Sequence, residues 1–326
     1  MASGLQKWKT ENECIDWQPN RMTQNKILEP TEKERKMSEL KGVCVPICTP
    51  FTDGGASVDE TALCKHIDSM IAENVDIICV NGGTGEFPFL SEAEKRKAVE
   101  TAAKHIAGRC QIVAHVSCVR TQDTIDAGKH AKDHGVDAIM VLPPYFEGPD
   151  VEGVLWHYDN VSRAVGLPIM AYNIPACSDF DITPEIFQRL GQIENVNYIK
   201  DSTGDMKRIE DLAAAGVNVF CGCDYLMMYA LMAGAAGCFW GGANAMPAQA
   251  VQLYRLCSAG KLNEALEIWQ TIQPLNRLFW TLPFNPAVKE ATNLSGRPVG
   301  ECRLPVQPLS KDQKALVKET FNKIAM

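Results

Sequence analysis

Residues 168–201 read PIMAYNIPACSDFDITPEIFQRLGQIENVNYIKD, and this stretch holds one full repeat of the pattern that decides the fold. An apolar run over 168–172 ends in a turn, and Thr183-Pro184 then reads as an N-cap followed by proline at the first helical position. After the helical stretch a second apolar run, 197–200, closes on Lys200. Short runs that are apolar throughout, alternating with amphipathic helices, belong to parallel strands covered on both faces.

The pattern recurs in both directions. Runs over 43–48, 77–80, 112–116 and 138–142 precede this stretch and runs over 217–221 and 237–240 follow it, which makes eight. Ser57 with Glu60, and Ser91 with Glu94, read as S-x-x-E capping boxes, and Ser310 with Gln313 opens the last helix. Eight such units predict an α/β fold, a (β/α)8 TIM barrel, in preference to a doubly wound sheet. Helical patterns over 246–259, 261–280, 285–293 and 310–325 exceed what one outer helix needs. The expected organisation is therefore a barrel over 42–259 and a C-terminal helical extension over 260–326 packed on it. Residues 1–41 carry clustered charge and no apolar period, and are expected to be a disordered extension, with Met37 a candidate natural start.

Composition excludes several classes of protein. With 46% hydrophobic and 22% charged residues among 326, the chain is globular, neither disordered nor collagen-like. Its 32 Lys+Arg against 40 Asp+Glu give a net charge of −8 and no electrostatic footprint for nucleic acid or anionic lipid. The 13 cysteines are odd in number, and Cys44, Cys48, Cys79, Cys221 and Cys238 sit inside apolar runs, as in a reduced cytoplasmic protein. Cys221 and Cys223 lack a second pair at metal-ligand spacing, so core packing is expected of them. The charge-free stretch from Tyr225 to Tyr254 is broken by Gly241, Gly242, Asn244, Pro247 and Gln249, and reads as buried α/β core, not as a membrane span.

In a barrel of this kind the chemistry sits at the C-terminal ends of strands. Lys200 closes the sixth run, where an amine among apolar neighbours is disfavoured as a cation and is free to attack a ketone. A lysine snorkelling to the rim or paired with Asp201 is the alternative. Tyr172 closes the fifth run, one βα unit earlier, so its phenol can lie beside the amine and carry protons; otherwise it is a core-edge tyrosine. The second run ends in Gly82-Gly83-Thr84-Gly85-Glu86, which lacks both the P-loop ending and the dinucleotide spacing. Its glycines let backbone N–H groups approach a small anion such as the carboxylate of pyruvate, and Thr84 adds a hydroxyl. A tight turn without function is the plain alternative.

The ordered set GVCVPICTPF (42–51), GGTGEFPFLSEAEK (82–95), AYNIP (171–175), YIKDSTGD (198–205) and FNPAVKEATNLSG (284–296) resembles the dihydrodipicolinate synthase and N-acetylneuraminate lyase family of class I aldolases. The resemblance implies a barrel with C-terminal helices, a homo-oligomer, either dimer or tetramer, and no metal or organic cofactor. It implies that Lys200 forms the Schiff base, that Tyr172 shuttles protons, and that Thr84 with the Gly83 amide binds the carboxylate of pyruvate. Two positions depart from the family pattern. Cys177 stands where dihydrodipicolinate synthases carry an arginine that grips the second substrate's carboxylate, and Phe146 stands where many members lend a tyrosine across a subunit contact. GEFPFL and KDS-GD resemble the 4-hydroxy-2-oxoglutarate aldolase branch, while GGTGEF and LPPY are similar to keto-deoxyglucarate dehydratases.

The leading expectation is a lyase that cleaves a 2-keto-3-deoxy or 4-hydroxy-2-oxo acid to pyruvate and an aldehyde through a lysine imine. A dehydratase of a keto-deoxy sugar acid using the same imine, a dihydrodipicolinate-synthase-like condensing enzyme, and a barrel that binds oxo acids without turnover are the alternatives. A metal-dependent aldolase would use His130 and His134, four apart on one helix, but no third ligand is evident. Choice of aldehyde is expected to lie with Phe87, residues 177–180 and the segment around Trp240.

Overall fold

A computed structural model describes residues 39–52 and 54–324. The expected extension over 1–41, with the Met37 start, lies outside the described residues except for 39–41, where Leu40 is buried and its N–H donates to the Tyr198 hydroxyl at 3.1 Å.

Eight parallel strands close into a barrel: β1 (Gly42–Pro46), β2 (Ile77–Val80), β3 (Gln111–His115), β4 (Ala138–Val141), β5 (Ile169–Asn173), β6 (Val196–Asp201), β7 (Asn218–Cys221) and β8 (Gly237–Phe239). Each pairs with the next in sequence, and β8 returns to β1. The outer helices are α1 (Glu60–Ala72), α2 (Glu92–Ile106), α3 (Thr121–Asp133), α4 (Val151–Val165), α5 (Pro184–Leu190), α6 (Met206–Ala214), α7 (Met227–Met232) and α8 (Pro247–Ser258). Three more, α9 (Leu262–Phe279), α10 (Phe284–Leu294) and α11 (Lys311–Asn322), form the C-terminal helical region.

The expected capping boxes at Ser91/Glu94 and Ser310/Gln313 are present, and Thr183 caps α5. The box at Ser57/Glu60 is not. Ser57 belongs to a two-residue strand, Ser57–Val58, paired antiparallel with Phe51–Thr52, and the side chain of Asp59 caps α1 instead, accepting from the Ala62 N–H at 2.9 Å. The local sequence offers two capping oxygens two residues apart, and hairpin pairing engages the first.

Alternation along each strand divides the core in two. Val43 and Val45 of β1 and Ile78 and Val80 of β2 face the helices, while Cys44, Ile77 and Cys79 fill the barrel interior with Val113, Met140, Met170 and Phe220. In β6 the interior set is Tyr198 and then Lys200; in β5 it is Met170 and then Tyr172. Gly237 makes the closure of the barrel possible, because a Cβ there would lie 2.3 Å from the Gly42 carbonyl oxygen. The buried thiols behave as packing groups: burial pushes Cys48 and Cys79 up to about 12, so both stay protonated. Tyr225 to Tyr254 resolves into α7, β8, a short turn and α8, and among the described residues no helix is long and apolar enough to cross a membrane.

Candidate active site

Interior alternation delivers Lys200 and Tyr172 to the same layer. Their Cα atoms are partners across β5 and β6, and Lys200 is in turn partnered by Phe220 of β7. Lys200 is 5% exposed and Tyr172 6%. The Nζ stands 3.8 Å from the centre of the Tyr172 ring and 4.1 Å from that of Phe239. The alternative pairing with Asp201 does not form. That carboxylate faces the opposite side of β6, accepting from Asn173 Nδ2 at 2.8 Å and from the Thr203 N–H and hydroxyl. Asn173 follows Tyr172 as Asp201 follows Lys200, so one hydrogen bond outside the barrel ties the two strand ends whose inward residues meet inside it.

A cavity of about 340 Å³ opens over these groups, within the range of small-molecule sites. All four expected site residues, Gly83, Thr84, Tyr172 and Lys200, line it. Among the described residues no acceptor takes the N–H groups of Gly83 and Thr84, which leaves a pair of adjacent donors beside the Thr84 hydroxyl. Close packing holds the cavity's shape on two sides. A Cβ on Gly241 would lie 3.1 Å from Thr84 Oγ1, and one on Gly222 would lie 2.1 Å from Ser202 Oγ and 3.0 Å from Lys200 Cε.

The cavity wall also carries groups that the sequence reading does not single out. Asp224 is buried, with Oδ1 accepting from the Gly242 N–H at 2.6 Å and Oδ2 from Trp280 Nε1 at 3.3 Å. Burial raises its carboxyl to about 6, against these hydrogen bonds and the charge of Lys200. The Ser202 hydroxyl is buried with no partner among the described residues. Asp224 follows the seventh strand, and the strand-end rule that singles out Lys200 applies equally to Gly222-Cys223-Asp224. Trp280, Phe284 and Asn285, from the C-terminal region, complete the wall and carry no strand-end signal.

Of the residues expected to choose the aldehyde, Cys177 is exposed at the cavity mouth, as expected. Of the segment around Trp240, Phe239 and Gly241 line the cavity, and Trp240 itself does not. It is fully buried behind the wall and donates from Nε1 to Asn276 Oδ1 at 3.0 Å. Phe87 packs edge-on against His115, with ring centres 4.2 Å apart, and lines a different crevice. Phe146 is 81% exposed outside the cavity, and Tyr145 packs against the barrel-interior cluster. His130 and His134 stack on the outside of α3 with ring centres 4.3 Å apart, and among the described residues no cluster of His, Cys, Asp or Glu is arranged to hold a metal ion.

The arrangement is that of a lysine-centred barrel, and comparison with known proteins places the chain within one family. The model of the dihydrodipicolinate synthetase family matches residues 39–324. The 4-hydroxy-tetrahydrodipicolinate synthase of Bartonella bacilliformis is 33% identical over 287 residues, covering 85% of this chain and 96% of that protein. Dihydrodipicolinate synthase from Aquifex aeolicus superposes with a TM-score of 0.84 at 30% identity, covering 88% of this chain and 98% of that one. The chloride-inhibited enzyme from Acinetobacter baumannii, solved with pyruvate, has the same TM-score at 28% identity, covering 88% and 99%. The chain belongs to the dihydrodipicolinate synthetase family, a family of enzymes.

Proposed function

We propose that this protein is a Schiff-base lyase that cleaves a 2-keto-3-deoxy sugar acid to pyruvate and a neutral hydroxylated aldehyde. The observation that carries the reading is the amine of Lys200, held between the Tyr172 and Phe239 rings on the cavity floor with no carboxylate within ion-pair distance among the described residues. Pyruvate bound to a family relative supports the oxo-acid half of the substrate.

Nζ attacks the C2 carbonyl carbon, and the carbinolamine loses water to give a protonated imine. The C4 hydroxyl gives its proton to a base served by Tyr172, the C3–C4 bond breaks, and its electron pair moves into C3–C2 to form the enamine while the aldehyde leaves. Protonation at C3 and hydrolysis of the imine release pyruvate and restore the amine. The Gly83 and Thr84 N–H groups with the Thr84 hydroxyl hold the C1 carboxylate.

The far end of the cavity selects the substrate class. Among the described residues lining the cavity, Lys200 is the one cation, and Asp224 and Ser202 are the polar groups offered to the aldehyde portion. A second carboxylate, as in 4-hydroxy-2-oxoglutarate or aspartate semialdehyde, would sit there unpaired and near a buried acid, at a cost of several kcal/mol by the order of magnitude of burying an unpaired ion. Hydroxyl groups would be accepted by Asp224 and Ser202. Cys177 in place of a bidentate donor argues the same way against synthase activity.

Asp224 also supports a second reading. A buried acid that keeps its proton to about pH 6 can protonate a leaving C4 hydroxyl, turning the same imine toward loss of water. Borohydride reduction with pyruvate followed by peptide mass spectrometry is expected to place the reduced adduct on Lys200, and an unmodified Lys200 would refute both readings. Incubation with keto-deoxy sugar acids separates them, because only the lyase releases pyruvate.

A further inference from the structure

The Gly83-Thr84 nest hangs from the C-terminal region by three contacts. Lys289 of α10 is 1% exposed; its Nζ lies 2.6 Å from Glu86 Oε1 and donates to the Thr49 and Glu301 carbonyls at 2.7 and 3.0 Å. Two of the ammonium protons are thus taken by carbonyls, and the charge is met by the Glu86 carboxylate. Glu86 is fully buried, and its Oε2 accepts from the Arg303 N–H at 2.9 Å. Asn285, one turn before Lys289, donates from Nδ2 to the Gly83 carbonyl at 2.9 Å, and the Thr49 hydroxyl donates to the Gly85 carbonyl at 2.7 Å.

Two features show that these contacts act on backbone direction. Glu86 has φ +60°, a left-handed conformation that a non-glycine residue keeps only when its surroundings hold it. A trans peptide carries its C=O and N–H in opposite directions, so fixing the Gly83 carbonyl fixes the Thr84 N–H. The guanidinium of Arg303 continues the clamp, pairing with both oxygens of Glu94 and lying 4.4 Å over the Phe51 ring, whose centre is 4.6 Å from Lys289 Nζ.

We infer that Lys289, with Glu86 and Asn285, is a positioning residue for the oxo-acid carboxylate: the C-terminal region sets the direction of the nest donors and so is part of the active site. This rests on the reading of the nest as the carboxylate site. The role differs from that of a mere staple, because it moves substrate affinity more than turnover.

The test is pyruvate titration of borohydride-trapped Lys200 in the full-length chain, for Lys289→Met and Asn285→Ala, beside steady-state kinetics and melting of the free protein. Half-maximal trapping is expected at about tenfold higher pyruvate in each variant, with the adduct level at saturation and kcat changed no more than about twofold to threefold. Melting with half-saturation unchanged would overturn the inference. If Lys289→Met does not fold, Asn285→Ala decides, since it removes the side-chain donor to the Gly83 carbonyl, leaving the Glu86 N–H at 3.0 Å, and keeps the buried pair intact. Absence of any adduct in the parent protein would instead refute the imine itself.

Discussion

The two ends of the cavity are built differently. Behind the Gly83-Thr84 nest, the proposed carboxylate site, the Gly83 and Gly85 carbonyls accept hydrogen bonds, Glu86 Oε2 accepts from the Arg303 N–H, and Glu86 Oε1 is ion-paired with the Lys289 ammonium. Where the aldehyde portion is proposed to lie, the Ser202 hydroxyl has no partner among the described residues, Cys177 is exposed, and Asp224 is buried as an acid that keeps its proton up to about pH 6. The contrast follows from the chemistry. In the proposed reading a carboxylate common to all 2-oxo acids rewards rigid, preorganised donors, whereas the variable part of the substrate would meet an unpartnered Ser202 hydroxyl and an exposed Cys177.

Removing one member of the engaged set has the largest expected effect. Lys289→Met leaves Glu86 as a buried, unpaired carboxylate, which costs about 3–5 kcal/mol of stability. Cys177→Ala at the open end falls within about 0.5 kcal/mol, as for an exposed side chain. Denaturant unfolding of both variants measures the difference, and similar midpoints would erase the distinction between the ends.

The next effect is a gain. Cys177→Arg supplies a guanidinium at the mouth for a carboxylate on the aldehyde, a charged hydrogen bond worth about 1.5–3 kcal/mol. The expected outcome is a rise of about tenfold to a hundredfold in kcat/KM for aldehydes bearing a carboxylate, read by pyruvate consumption in the condensing direction. The same substitution should leave half-saturation by pyruvate unchanged, because the carboxylate end is untouched.

What could be read from sequence follows the range of the interactions. The eight strands are legible because a strand buried on both faces is apolar at every position, and Lys200 and Tyr172 because a polar residue closing such a run is conspicuous. Asp224 obeys the same rule and was available to it. Ser57 misleads because it is drawn into a hairpin between Phe51–Thr52 and Ser57–Val58, and in the segment around Trp240 strand position brings Phe239 and Gly241 to the cavity but does not reveal that the indole between them stands behind the wall. The clamp is illegible for a stronger reason. Glu86 and Lys289 are separated by most of the barrel, so no spacing or periodicity links them, and an isolated Glu or Lys reads as surface charge.

Two buried groups, His115 beside the clamped loop and Asp224 on the cavity wall, should also titrate in opposite senses. His115, beside the clamped loop, is buried between Phe87 and Tyr172. The Asn81 carbonyl, 3.0 Å from Nδ1, can only accept, so Nδ1 carries the proton of the neutral ring and Nε2 accepts from the Ser117 hydroxyl, whose oxygen accepts from the Leu142 N–H at 2.7 Å. Burial first, then the charges of Lys200 and Lys95, lower it from 6.5 to about 3. The unfolded chain therefore takes a proton near pH 6.5 that the folded chain refuses, and stability falls as pH drops from about 6.5 toward 3, by at most about 1.4 kcal/mol per pH unit. Asp224 does the reverse: raised to about 6, it holds its proton in the folded chain where the unfolded chain has lost it, so its contribution falls as pH rises from about 4 to 6. In the parent the two slopes oppose each other between pH 4 and 6. His115→Gln should flatten the acid limb only in part, because His66, buried and lowered to about 4, acts in the same sense. Asp224→Asn should steepen the rise of stability with pH across that window. Unfolding midpoints at pH 4, 5 and 6 distinguish the variants, and slopes that do not diverge would refute the opposed titration of His115 and Asp224.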